Sequence, residues 1–101
     1  MKFGLKDETI LKIQSAFIKF PGIEKVVIYG SRAKGNYRNG SDIDITLFGK
    51  ELSHQILLRL MNEIDELNTP YMFDISIYDT LSSETLKEHI DRVGLVFYER
   101  D

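Results

Sequence analysis

The sequence predicts a single mixed α/β domain spanning residues 1–101, a mixed β-sheet packed with helices on one principal face. Three observations carry this prediction. Segments of helical and of strand periodicity alternate along the chain. Two of the strand segments switch strictly between apolar and polar residues. The connections between strands have lengths that set their relative directions. With 101 residues, 43% of them apolar, the chain has material for one modest core and none to spare for an appended recognition domain.

From Asp7, the apolar residues Ile10, Ile13, Phe17 and Phe20 recur at helical spacing, with Asp7 as N-cap and Pro21-Gly22 closing the first helix. Val26 to Tyr29 is a short β-branched run ended by Gly30, the composition of a buried strand. A polar stretch follows, Ser31 to Ser41, whose first residues form one or two helical turns before Asn39-Gly40 breaks them. Ser41 to Phe48 reads as the second strand, with Ile43, Ile45 and Leu47 on one face and Asp42, Asp44 and Thr46 on the other. Ser53 then caps a helix that carries Leu57, Leu60, Ile64 and Leu67 on one side and stops near Asn68 and Pro70. The third strand, Tyr71 to Tyr78, alternates again, opposing Phe73, Ile75 and Ile77 to Asp74, Ser76 and Tyr78. Ser82 or Ser83 caps a last helix bearing Leu86, Ile90 and Val93, Gly94 ends it, and Leu95 to Tyr98 supplies a fourth, edge strand.

Connection lengths give directions. About eleven residues separate the first two strands, marginal for a parallel crossover, so an antiparallel return is predicted. A full helix separates the second from the third, the mark of a parallel crossover. The end of strand one then lies beside the start of strand two, bringing Gly30-Ser31 next to Asp42 and Asp44, and strand three adds Asp74 to the same sheet face.

Composition excludes several classes of function. Thirteen basic against sixteen acidic residues give a net charge of −3, which offers no basic face for gripping a nucleic-acid template. The absence of cysteine removes disulfides, thiolate metal sites and cysteine nucleophiles together and fits a reducing compartment, so a cytoplasmic location is expected. The longest nearly apolar run, Val26 to Tyr29, is far shorter than the ~20 residues of a membrane helix, and Met1 to Leu5 has no signal-peptide core. Neither a membrane nor a nucleic-acid template is therefore expected as a partner, while the composition is compatible with a homo-oligomer.

The three strand-borne carboxylates call for an explanation. Asp42 and Asp44, two residues apart on one face, have Cα atoms roughly 6 to 7 Å apart, so their side chains can share one hard cation or bridge two. Mg²⁺ relieves their repulsion and keeps positions for water and phosphate oxygens, and Mn²⁺ is an acceptable substitute. Asp74 is placed to act as second-metal ligand and general base for an attacking hydroxyl. Gly30-Ser31 supplies the other half, since glycine lets backbone amides approach a phosphate and the Ser31 hydroxyl adds a donor. Arg32, Lys34 and Arg38 add positive charge, with Arg32 the candidate by proximity, although spacing does not say which of the three points inward. His54 and His89 have no i,i+4 partner and receive no role. Tyr29, Tyr71 and Tyr78 read as sheet residues rather than stacking platforms.

At these residues the sequence resembles the minimal nucleotidyltransferases of the DNA polymerase beta superfamily. The pattern is Gly30-Ser31-Arg32-Ala33-Lys34-Gly35, then Ser41-Asp42-Ile43-Asp44-Ile45, then Phe73-Asp74-Ile75, and the likeness extends over almost the whole chain. The resemblance implies a polymerase-beta-like fold, Asp42, Asp44 and Asp74 as catalytic and metal-binding residues, and Gly30, Ser31 and Arg32 at the nucleotide. It implies transfer of a nucleoside monophosphate, AMP from ATP, to a hydroxyl, with two Mg²⁺ ions as cofactor. Small members resemble the antitoxin half of a pair whose partner is an all-helical HEPN protein, which here would be, or would hold, the acceptor. The alternative is a non-catalytic module of the same fold that neutralises its partner by forming a complex.

Overall fold

A computed structural model describes all residues, 1–101. In chain order it contains α1 (Asp7–Ile18), β1 (Lys25–Tyr29), α2 (Ser31–Lys34), β2 (Ile43–Phe48), α3 (His54–Asp65), β3 (Phe73–Ile77), a 3-10 turn (Tyr78–Thr80), α4 (Glu84–Val93) and β4 (Leu95–Glu99). The strands form one sheet in the order β3-β2-β1-β4. β1 runs antiparallel to β2, and β2 runs parallel to β3, as the connection lengths predict; β4 pairs antiparallel with β1.

The alternation in β2 divides the sheet into two faces. Ile43, Ile45 and Leu47 join Val26, Ile28, Ile77 and Phe97 under Ile10, Ile13 and Phe17 of α1 and Leu60 and Ile64 of α3, the principal core. On the opposite face Val27 and Tyr29 pack beneath Ile90 of α4, with Phe48, Tyr78 and Leu86 around them. α4 thus covers the β1 half of that second face. The β2–β3 half of the same face carries Asp44 and Asp74.

Local sequence explains most boundaries. The Ser53 and Ser83 hydroxyls each accept a 3.2 Å hydrogen bond, from the Ile56 and Leu86 amides respectively, and so start α3 and α4. Ser53→Ala is expected to cost about 1 kcal/mol, read as a lower urea midpoint with an unchanged slope. Gly94 ends α4 for a reason of space rather than handedness: its φ is −64°, and a side chain there would run into the Ile90 carbonyl and the Val27 methyl.

Four boundaries differ from the sequence expectation. Asp7 is the first helical residue, not the cap; Lys6 holds the cap position with no side-chain bond, and Asp7 and Glu8 instead place negative charge in the first turn. α2 is a single turn closed by Gly35 at φ 87°, four residues before Asn39. α3 ends at Asp65, and the chain turns through Asn68 at φ 55°. The Ile43 amide bonds to the Met72 carbonyl at 2.9 Å, so β2 and β3 begin at Ile43 and Phe73, and Asp42 sits just ahead of its strand. No helix is long and apolar enough to cross a membrane.

Candidate active site

The site forms where β1 ends and β2 begins. Antiparallel register sets Tyr29 opposite Asp44, so the residue after Tyr29 passes directly against the Asp44 side chain. That residue must be glycine on two counts. Gly30 has φ 72°, a left-handed value that side chains disfavour, and a Cβ there would overlap the Asp44 carboxylate oxygen. Ser31 opens α2 immediately afterwards, and the Lys34 and Gly35 amides return to the Gly30 and Ser31 carbonyls at 3.0 and 2.9 Å to close the turn.

Parallel register sets Asp74 of β3 directly opposite Asp44 of β2. Asp44 is half-buried, whereas Asp42 and Asp74 are exposed. Burial pushes the Asp44 carboxyl above the ordinary carboxylate range, and the negative charges of Asp74 and then Asp42 push it the same way, with His89 opposing them. Asp42, Asp44 and Asp74 therefore sense one another, and Asp44 is the centre of the group.

Beneath the acids lies a polar floor. Thr46, fully buried, lies opposite Ser76 two residues along the same face, and the Ser76 hydroxyl donates to the Thr46 hydroxyl at 2.9 Å. Tyr29 borders the same group. Burial raises its phenol above the ordinary value and the Asp74 charge adds to this, while a Ser76 hydrogen bond acts in the opposite direction. The His89 ring meets Tyr29 edge-on at 6.0 Å, placing α4 over the border of the site. Sequence reasoning assigned His89 nothing, because its link to Asp44 spans 45 residues and leaves no local spacing to read. Strand alternation was a usable signal for Thr46 and Ser76, which share the face of the acids.

Gly30, Ser31, Asp42, Asp44 and Asp74 are thus brought to one end of the sheet. Arg32 is not placed as expected. Its side chain is 3% exposed, and its guanidinium nitrogens donate to the Ser41 and Phe3 carbonyls rather than standing free for a phosphate. Lys34 and Arg38 are exposed.

No three acidic or histidine side chains converge tightly enough to hold an ion unaided. The donor set nevertheless fits a hard divalent cation. It consists of carboxylate oxygens, two of them on exposed side chains, and the central one carries a charge that its neighbours make costly. Such an ion would keep several coordination positions for water or phosphate oxygens.

A family profile described as "Polymerase beta, Nucleotidyltransferase" matches residues 11–101. No curated protein matches the chain. Among solved structures, a toxin-antitoxin complex with AMP-PNP aligns at TM-score 0.71 and 18% identity, over 96% of this chain and 76% of the other. A Sulfolobus solfataricus protein provisionally assigned as a nucleotidyltransferase aligns at TM-score 0.55 and 26% identity, over 91% and 78%. The complex of a tri-AMPylated Shewanella oneidensis HEPN toxin with an MNT antitoxin aligns at TM-score 0.60 and 16% identity, over 90% and 73%.

Proposed function

The chain belongs to the polymerase beta nucleotidyltransferase family, and on that premise we propose that it transfers AMP from ATP to a hydroxyl on, or held by, a HEPN-type helical partner, as an antitoxin-like component. The observation that carries this reading is the seating of the Gly30-Ser31 turn against Asp44, with Asp74 in register across the strand pair. Phosphate binding and carboxylate chemistry thereby share one place.

In the proposed reaction the acceptor oxygen attacks the α-phosphorus, the bond from that phosphorus to the bridging oxygen breaks, and pyrophosphate leaves. Asp74, exposed at the edge strand, takes the hydroxyl proton. Asp42 and Asp44 would hold Mg²⁺, or Mn²⁺ in its place, with Asp74 contributing to a second ion. When bound, these ions supply charge neutralisation for the attacking and leaving oxygens. The Gly30-Ser31 turn orients the β- and γ-phosphates, so that catalysis is chiefly positioning and electrostatics. Ser31→Ala is expected to weaken ATP binding about tenfold, the cost of one hydrogen bond to a charged group, measured by calorimetry.

The partner assignment is supported by the fold likeness to toxin-antitoxin complexes, one of them with an AMPylated HEPN toxin. The size, lack of cysteine and charge balance fit a cytoplasmic enzyme. The test is incubation of α-labelled ATP and Mg²⁺ with the chain and a HEPN-type protein. Label on the helical protein, dependent on Asp44, is expected. Neutralisation of that protein without label, retained by Asp44→Asn, would instead identify a binding module.

A further inference from the structure

We infer that Arg32 is a positioning residue, which holds the loop presenting Asp42 against the helix that carries Ser31, and is not a ligand of the phosphates. The inference rests on the nucleotidyltransferase reading above. Arg32 is the only charged side chain buried in the chain, at 3% exposure. Taking a guanidinium out of water costs several kcal/mol unless its donors are met, so its partners reveal what the burial achieves.

Those partners come from separate parts of the chain. Nε and Nη2 both donate to the Ser41 carbonyl, at 3.0 and 2.8 Å, and Nη1 donates to the Phe3 carbonyl at 2.9 Å. The guanidinium also lies over the Tyr37 and Tyr71 rings, 5.4 and 4.8 Å from their centroids. The Ser41 carbonyl belongs to the peptide unit that leads into Asp42. A two-pronged grip on that oxygen fixes the plane from which the Asp42 side chain departs, a geometry that only the planar fork of arginine supplies. Tyr71 leads into β3, which carries Asp74. Arg32 itself follows Ser31 on α2. One side chain therefore ties the phosphate half of the site to the carboxylate half.

A phosphate ligand and a positioning residue respond differently to substitution. Lysine keeps the charge but cannot grip one carbonyl with two nitrogens while reaching a second. The test compares wild type with Arg32→Lys, Arg32→Met and Tyr37→Ala. It reads Mn²⁺ binding in the presence of ATP by spin resonance, and hydrogen exchange at the Ser41 and Ile43 amides, which the Arg38 and Met72 carbonyls protect. Both Arg32 variants are expected to lose about 10- to 100-fold in Mn²⁺ affinity, the usual effect of removing a partner that orients a metal ligand, with faster exchange at both amides. Tyr37 is 38% exposed and contributes only a ring to the guanidinium, so Tyr37→Ala is expected to remain folded and to show both changes in smaller measure. That variant decides the matter if Arg32→Met does not fold.

Wild-type Mn²⁺ and ATP affinity in Arg32→Lys alongside loss of ATP in Arg32→Met would make the charge itself the ligand and overturn the proposal. Unchanged affinity and exchange in every folded variant would overturn it as well. Wild-type protein that binds no Mn²⁺ with ATP is a separate result, and it would overturn the nucleotidyltransferase reading together with this inference.

Discussion

Asp44→Asn is expected to abolish the proposed nucleotide transfer, by about a thousandfold or more, while the variant folds at least as stably as wild type at neutral pH. The loss follows from position. Asp44 faces the Gly30-Ser31 turn, stands opposite Asp74 and is the only half-buried member of the three acids. On the proposed function, removing its charge would deprive a divalent cation of its central ligand, and metal-borne stabilisation of a phosphoryl transition state amounts to several kcal/mol, about three decades in rate.

The stability half follows from the same surroundings. Burial and two neighbouring negative charges raise the folded-state pKa of Asp44 above its ordinary value of 3.8. A raised acid favours the folded state while it is protonated and loses that advantage as pH rises through the folded pKa. In chelator, wild type is therefore expected to fall behind Asp44→Asn as pH climbs above 3.8, with no gap below that value. Thermal melts across this range check the prediction. A variant that melts well below wild type at pH 7 would make Asp44 a structural residue.

Gly30→Ala has the second large effect, and it acts on fold and function together. Alanine at φ 72° costs about 1 to 3 kcal/mol in backbone strain. The new methyl also displaces the Asp44 carboxylate, which lies against Gly30. Gly40→Ala is the matched control. Gly40 also has a positive φ, 82°, but nothing lies within 4 Å of the position a Cβ would take. Both variants are expected to lose stability in urea, Gly30→Ala the more because of its overlap with Asp44, and Gly30→Ala alone is expected to lose the proposed transfer, by at least about a hundredfold. Equal activity in the two would show that contact with Asp44 does not matter.

The parts of this site that were legible in the sequence are those set by short-range rules. Strict alternation over Ile43 to Phe48 and Phe73 to Ile77 fixes the face that Asp44 and Asp74 occupy, because strand period leaves no choice. Connection lengths then give strand directions, and glycine after an apolar strand marks the sharp exit at Gly30. What was not legible depends on distant partners. The pairing of Asp44 with Asp74 rather than with a neighbouring residue is a matter of register, which no local pattern encodes. Arg32 looks in sequence like any cation beside a phosphate-binding turn. Its role is decided by the Ser41 and Phe3 carbonyls, and the latter lies on the far side of α1 and β1 in the chain. α4 shows a clear apolar stripe, yet the stripe does not say on which sheet face it lies; packing of Ile90 on Val27 and Tyr29 places it beside the acids, and brings His89 with it.

The most direct test of the central claim is a calorimetric titration of the purified chain with ATP, and with the other three nucleoside triphosphates, with and without Mg²⁺, on wild type and Asp44→Asn. The account predicts ATP binding that requires Mg²⁺ and disappears in the variant. No binding at millimolar nucleotide, or binding that is indifferent to both Mg²⁺ and Asp44, would contradict it.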